Sequence, residues 1–573
     1  MGGDNLSWRA GRRNSTSREW VAVESRPTGP SFYLTEESYR PMFSFTPVVR
    51  TLAALAALLT SAAAAQVAQS PEASTELVTT HHQIVVNGKT LRYTATAGLL
   101  PIADNEAGEP HARMFFVAYV LDRGANAPVR PLTFLWNGGP GSSSSQVHLL
   151  GFGPKRIKTA DVFPTNPVLS ESELLDNQET WLDQSDLVFV DPVGTGYSRP
   201  TKPQYAAEFY NTRGDIESVA EFIRMYRTRF DAWSAPLFIA GESYGTTRAQ
   251  GVVEALERRR TRVAGVMLIS GGMAAGQVVP PNMQSALLVP GFTATAFYHK
   301  KLPPDLQTSL QDALRQSESW ARNEYATALA RRDSLTPEDR AAIVSQLAHF
   351  TGMNPSVIDQ KTLTLTSNDF DDRLLQDRGL QLGRYDARLA NARNLTTTPW
   401  EPHTDPSLGP IIDLMLGTSP LLIRYLRNEL QFKSDLLYQG PFGEGYPGTT
   451  KPRGDWMSTR WNGGAMVAQD SAGRGRGSVP FQNDPPFLRR AMEIDPKLRV
   501  LVARGLYDSG GCVASDYAIS RVDPGFRERI QGHCYGGGHM MYTDKEARQG
   551  IKRDVTEFMR EALAGASPSR STP

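Results

Sequence analysis

One stretch limits what this chain can fold into more than any other. The apolar run Leu237-Phe-Ile-Ala240 leads straight into Gly241-Glu-Ser-Tyr-Gly245. A strand, a sharp turn with glycine on both flanks of Glu-Ser-Tyr, and a helix from Thr246 to about Arg259 form the G-x-S-x-G nucleophile elbow in its required setting. The glycines are needed because the serine backbone there is strained and a nearby Cβ would crowd it. The turn lifts the Ser243 hydroxyl above the sheet edge, and the helix N-terminus behind it favours negative charge.

The rest of the chain agrees with an α/β architecture. Gln83–Gly88 and Leu91–Ala97 read as two strands joined through Asn87-Gly88, a hairpin signal. Further strands are predicted at Met114–Val120, Leu132–Trp136, Leu187–Val190, Val263–Ile269 and Leu498–Ala503. A helix with apolar residues at Ile216, Val219, Ala220, Ile223 and Tyr226 precedes the elbow strand. Strands alternating with helices argue for a mostly parallel central sheet flanked by helices. The alternation stops between residues 274 and 485, where helical segments dominate; one starts at Thr336-Pro337, an N-cap followed by proline at the first helical position. Ile411–Gln431 is predicted as another helix and residues 440–464, rich in glycine and proline, as loop. The expected organisation is a core over 75–273 and 486–564, interrupted by a mainly helical cap insertion at 274–485. A last helix spans Thr543–Ala562, and the tail 565–573 is expected to be disordered.

Composition narrows the function classes. A net charge of +1 over 573 residues gives no reason to expect nucleic acid or an anionic membrane surface as partner. No H-E-x-x-H or Cys/His cluster suggests a metal, so neither metal nor cofactor is expected. The glycine-rich Asn137–Gly141 lacks the G-K-[ST] ending of a phosphate loop. Residues 42–65 carry Arg50, a short apolar run and Ala63-x-Ala65, the pattern of a secretory signal peptide, with residues 1–41 a gene-start artefact. Cleavage after Ala65 removes seven arginines and five acidic residues and leaves a net charge of −1. An exported protein is expected, with no membrane association after cleavage. Cys512 and Cys534 either bridge or stay free.

A serine hydroxyl needs an adjacent base, itself oriented by a third group. In the elbow fold the acid and then the histidine follow the serine in the chain. Only His533 and His539 lie beyond the last core strand, and His539 follows the flexible Gly536-Gly-Gly538. His539 is therefore the expected base and His533 structural. Asp508, at the carboxyl end of a core strand, is the expected acid, ahead of Asp516 and Asp523. The backbone N–H groups of Tyr244 and Gly139 are the expected oxyanion donors.

With those residues placed, the chain resembles the serine carboxypeptidase family, peptidases of the α/β-hydrolase fold. Four segments carry the resemblance: Trp136-Asn-Gly-Gly-Pro-Gly-Ser142, Phe189-Val-Asp-Pro-Val-Gly-Thr-Gly-Tyr-Ser198, Gly241-Glu-Ser-Tyr-Gly245 and Gly537-Gly-His-Met540. It covers roughly residues 80–270 and 490–560. The resemblance implies a Ser243–Asp508–His539 triad acting on peptide or protein C-termini. It implies that Asn137, Gly138 and Glu242 hold the substrate carboxylate, with Glu242 protonated, which favours acidic pH. Met540 and the Tyr244 side chain are expected to line the pockets. The family's second glutamate, partner to the first, is replaced here by Gly151, so Glu242 is expected to hold its proton less tightly. The family's cysteine after Asn-Gly-Gly-Pro-Gly is Ser142. An esterase or acyltransferase on the same scaffold is the alternative; Glu242 and Asn137 speak against it, because an ester need present no carboxylate.

Overall fold

In the computed structural model, residues 77–124, 126–158, 173–273, 275, 279–392, 405–440, 486–508 and 510–566 are described. The leader at 42–65, residues 1–41, most of the predicted 440–464 loop and the tail from 567 lie outside them.

Among the described residues, the path of the main sheet is made of nine strands, in chain order β1 (Val78–Val86), β2 (Lys89–Ala103), β3 (Pro110–Leu121), β4 (Leu132–Trp136), β5 (Asp186–Val190), β6 (Leu237–Glu242), β7 (Gly265–Ile269), β8 (Arg499–Gly505) and β9 (Ile530–Tyr535). In space their order is β1-β2-β3-β5-β4-β6-β7-β8-β9, with the short Arg199–Pro200 strand added to β3. β1, β2 and β3 pair antiparallel, and β3 pairs antiparallel with β5. From β5 through β4, β6, β7, β8 to β9 every pairing is parallel. This is the α/β-hydrolase fold. The opening hairpin turns at Asn87 and Gly88 with φ of 49° and 76°. Positive φ at both central residues is what a tight turn between right-twisted strands requires.

Both faces of the parallel strands are covered, which explains their unbroken apolar sequence. Phe238 and Ala240 of β6, Met267 and Ile269 of β7, and Leu501 and Ala503 of β8 face one core. Their alternates Leu237, Ile239, Val266, Leu268, Val500 and Val502 face the other. Helices α1 (Thr212–Arg229), α2 (Tyr244–Arg258) and α4 (Phe487–Ile494) pack on the second face, through stripes such as Ile216, Val219, Ile223 and Tyr226. Helix α5 (Lys545–Ala566) packs on the first through Ile551, Val555, Phe558 and Ala562.

The region between β7 and α4 consists of two differently packed parts. Helices of 279–392, including α3 (Pro337–Thr351) capped by Thr336, surround a core of their own. Leu408, Leu414, Leu422, Tyr425 and Phe432 instead join the core on the first face of the sheet. The predicted single helix over 411–431 is not formed. Gly417 adopts the left-handed conformation and ends a short helix at Leu416. Ser419 then caps a new one beginning at Pro420. Each residue does what its chemistry favours, glycine stopping a helix and Ser-Pro starting one. Cys512 and Cys534 form a disulfide across 5.8 Å between Cα atoms. It ties the segment after β8 to β9, the two elements that carry Asp508 and lead into His539.

Candidate active site

Ser243 stands between β6 and α2 at φ 58°, ψ −128°. Such a backbone costs on the order of 1–3 kcal/mol and persists only where its surroundings enforce it. Here they do: Ser243 N–H donates to Ile269 O at 2.9 Å, and Thr246 N–H to Ser243 O at 2.9 Å. The Trp136 indole at the end of β4 donates to Gly245 O at 2.9 Å. A Cβ on Gly241 would lie 2.0 Å from Gly245 O, and one on Gly245 2.8 Å from Asn137 O. Ser243 holds the N-cap position of α2, yet its hydroxyl does not cap the helix. The hydroxyl is thereby left for other chemistry.

His539 Nδ1 lies 3.0 Å from Asp508 Oδ2. A carboxylate only accepts, so Nδ1 carries the proton and Nε2 of the neutral ring keeps its lone pair. Nε2 is buried and has no hydrogen-bond partner among the described residues. The backbone fixes the ring from both ends. His539 N–H donates to Tyr385 O, and His539 O accepts from the Ser270 hydroxyl. Asp508 itself hangs from a loop whose Tyr507 N–H donates to Gly537 O at 2.9 Å, so the acid and base loops are joined directly.

Ser243 and His539 lie on the wall of one cavity of about 290 Å³, together with Asn137, Gly138, Gly139, Glu242 and Met540. A larger cavity of about 360 Å³, near Leu237 and Ala264 at the amino ends of β6 and β7, contains none of the predicted residues. The Asn-Gly-Gly loop is pressed onto the elbow, since a Cβ on Gly138 would stand 2.5 Å from Tyr244 N. Asn137 O accepts from Arg248 Nη1 at 2.7 Å. In a trans peptide the next N–H points the opposite way, so Gly138 N–H is directed away from Arg248. Arg248 in turn forms a buried ion pair with Asp215 at 2.7 Å.

Glu242 is almost fully buried, and both of its donors converge on one oxygen. Tyr542 Oη donates to Oε2 at 2.7 Å, and Asn137 Nδ2 donates to the same atom. Oε1 therefore remains for a proton. Burial raises the Glu242 carboxyl to about 7, against the lowering effects of His539, Tyr542 and Asn137. Burial disfavours charge on His539, but the Asp508 and Glu242 carboxylates outweigh it and raise the imidazole above its usual value.

Two expectations need correction. Glu242 does not lose a hydrogen-bond partner through Gly151. A Cβ at Gly151 would meet the Tyr542 ring at 3.3 Å, so the tyrosine occupies that space and supplies the bond from the other side. Burial keeps the carboxyl protonated up to near neutrality, while the Tyr542 donation works in the opposite direction by favouring the ionised form. The Tyr244 side chain is not on the cavity wall. Its ring lies 5.2 Å from the Arg248 guanidinium, and its hydroxyl neighbours Asp215 and Thr212. Sequence reasoning also passed over Arg248 and Tyr542, which belong to no motif; only the residue after His-Met-Met offered a signal. His533 pairs with Asp554 at 3.3 Å, while Asp516 and Asp523 sit exposed at helix starts and Asp508 is the carboxylate on His539.

Comparison with known proteins places the chain. Pheromone-processing carboxypeptidase KEX1 of Komagataella phaffii is 25% identical over 289 residues, 48% of this chain and 42% of that protein. The corresponding protein of Aspergillus terreus is 32% identical over 160 residues, 27% of this chain and 22% of that one. The chain thus spans less than half the length of these relatives. A solved structure of Kex1Δp, a prohormone-processing carboxypeptidase from Saccharomyces cerevisiae, aligns with 82% of this chain and 92% of its own at 16% identity and a TM-score of 0.48. Residues 88–397, more than half of the chain, match the family model described as serine carboxypeptidase, and the chain belongs to that family.

Proposed function

We propose that this protein is an exported serine carboxypeptidase, releasing single residues from the C-termini of peptides through an acyl-enzyme on Ser243. His539 Nε2 takes the Ser243 proton as the hydroxyl attacks the last peptide carbonyl, then returns it to the departing amine. Asp508 holds the imidazole in the required tautomer. Tyr244 and Gly139 N–H groups receive the oxyanion. Asn137, Gly138 N–H and protonated Glu242 hold the terminal carboxylate; an ionised Glu242 would repel it. Met540 lines the pocket, and the helical insertion supplies Tyr385, Leu408 and Met415 as its outer wall. The observation that carries this reading is the single cavity shared by Ser243, His539, Asn137 and a carboxyl that burial keeps neutral. A disulfide beside the site suits an oxidising compartment, which supports export through the leader at 42–65.

The test is mass spectrometry of a peptide incubated with the protein. Stepwise loss of one C-terminal residue is expected, with Ser243→Ala reducing the rate on the order of 10⁶-fold. Unchanged turnover by that variant, or internal cleavage, would contradict the proposal.

A further inference from the structure

Gln146 is 4% exposed and lies on the wall of the catalytic cavity. Its side-chain Nε2 has no hydrogen-bond partner among the described residues. A buried amide donor left unmade is costly, and native proteins rarely tolerate one unless a ligand completes it. Its position says which part of a substrate would do so. The next residue, Val147, donates its N–H to Asn137 Oδ1 at 3.1 Å, so Gln146 stands beside the residues proposed to hold the terminal carboxylate. That carboxylate is already provided for by Gly138 N–H, the second amide hydrogen of Asn137 and the Glu242 proton. The free donor is thus left for the side chain of the same terminal residue.

The rest of the wall restricts that side chain. Leu408 and Met415 are apolar, and among the described residues lining the cavity Glu242 is the only acidic one. A cationic side chain would find no counter-ion there, and a purely aliphatic one would leave the Gln146 amide unpaired. We propose that Gln146 reads the released residue, selecting C-terminal residues whose side chain carries an uncharged amide or hydroxyl. The proposal rests on the carboxypeptidase reading and adds its substrate class.

Asn and Leu have nearly the same shape, so two blocked dipeptides differing only in C-terminal Asn or Leu isolate the effect. The native protein is expected to favour the Asn peptide in kcat/KM by about 10-fold or more. Gln146→Met is expected to bring that ratio to near one. Gln146→Glu places a carboxylate on the same wall and is expected to move preference toward C-terminal Lys, which keeps the proposal testable if the methionine variant does not fold. A native ratio near one, a ratio unchanged in Gln146→Met, or no gain for Lys in Gln146→Glu would overturn it. Turnover without preference removes only this inference; no turnover of either peptide removes the carboxypeptidase reading and this one with it.

Discussion

Glu242 and His539 lie on the wall of the same cavity and compete for protons. Each carboxylate near His539 favours the imidazolium, and Glu242 is one of the two. The proposed working state, acid Glu242 with neutral His539, holds the same number of protons as the ion pair, so the two titrate together. Asp508, Arg504, Tyr542 and Asn137 are the other groups that bias this pair. Glu242 is raised, so the acid form persists below about pH 7 and is lost as pH rises through it. Glu242→Gln keeps an amide donor for the substrate and removes the charge. Its kcat/KM on peptides is expected to stay level above pH 7, where the native enzyme falls, and its acidic limb to move to lower pH as His539 loses a stabilising carboxylate. Tyr542→Phe removes a donor that favours the ionised form, so the alkaline limb is expected to move to higher pH. A pH–rate profile of each variant checks both. The triad candidates were readable because each sits in a local motif or at a strand end. Tyr542 was not, since its partner Glu242 is distant in sequence and only the fold brings them together.

Elements, rather than single side chains, set the spacing of the site. β4 delivers Asn137–Gly139 and β6 delivers the elbow as adjacent parallel strands, in register from Leu132 with Leu237 to Trp136 with Gly241. That adjacency forces the two loops together until only glycine fits at 138. Gly138→Ala is expected to lower kcat by about 100-fold or more through displaced oxyanion donors, with KM for a small ester changed far less. Steady-state kinetics on a peptide and an ester separate the two effects. Strand and helix identities in the core were legible from periodicity, because each parallel strand is apolar on both faces and each helix on one. The predicted helix over 411–431 failed for the opposite reason. An apolar run masked Gly417 and Ser419-Pro420, the stop and start signals within it.

Across the whole molecule, the insertion is bound to the catalytic loops by charge. Arg388 pairs with Asp386 at 2.5 Å and Asp544 at 2.6 Å, and donates to Gly536 O at 3.1 Å, all in a largely buried setting. Gly538, next to His539, packs so closely on this segment that a Cβ would lie 2.4 Å from Tyr385 O. Arg388→Met would leave two carboxylates facing each other without their shared guanidinium, a loss of roughly 3–5 kcal/mol at neutral pH. Burial already raises Asp544 and Arg388 holds it down, so without Arg388 protonation on acidification should recover part of that loss. Urea unfolding at pH 7 and pH 5 measures both. This link was not legible in the sequence, because nothing local marks Arg388 as the point where the insertion meets the distant segment 536–544.

The central claim is that a buried, protonated Glu242 recognises a free C-terminus. It is tested most directly by kcat/KM for one peptide and its C-terminal amide from pH 4 to 8. The expected result is a preference for the free acid of about 100-fold or more at low pH, shrinking as pH rises through about 7. Equal turnover of acid and amide across the range would contradict it.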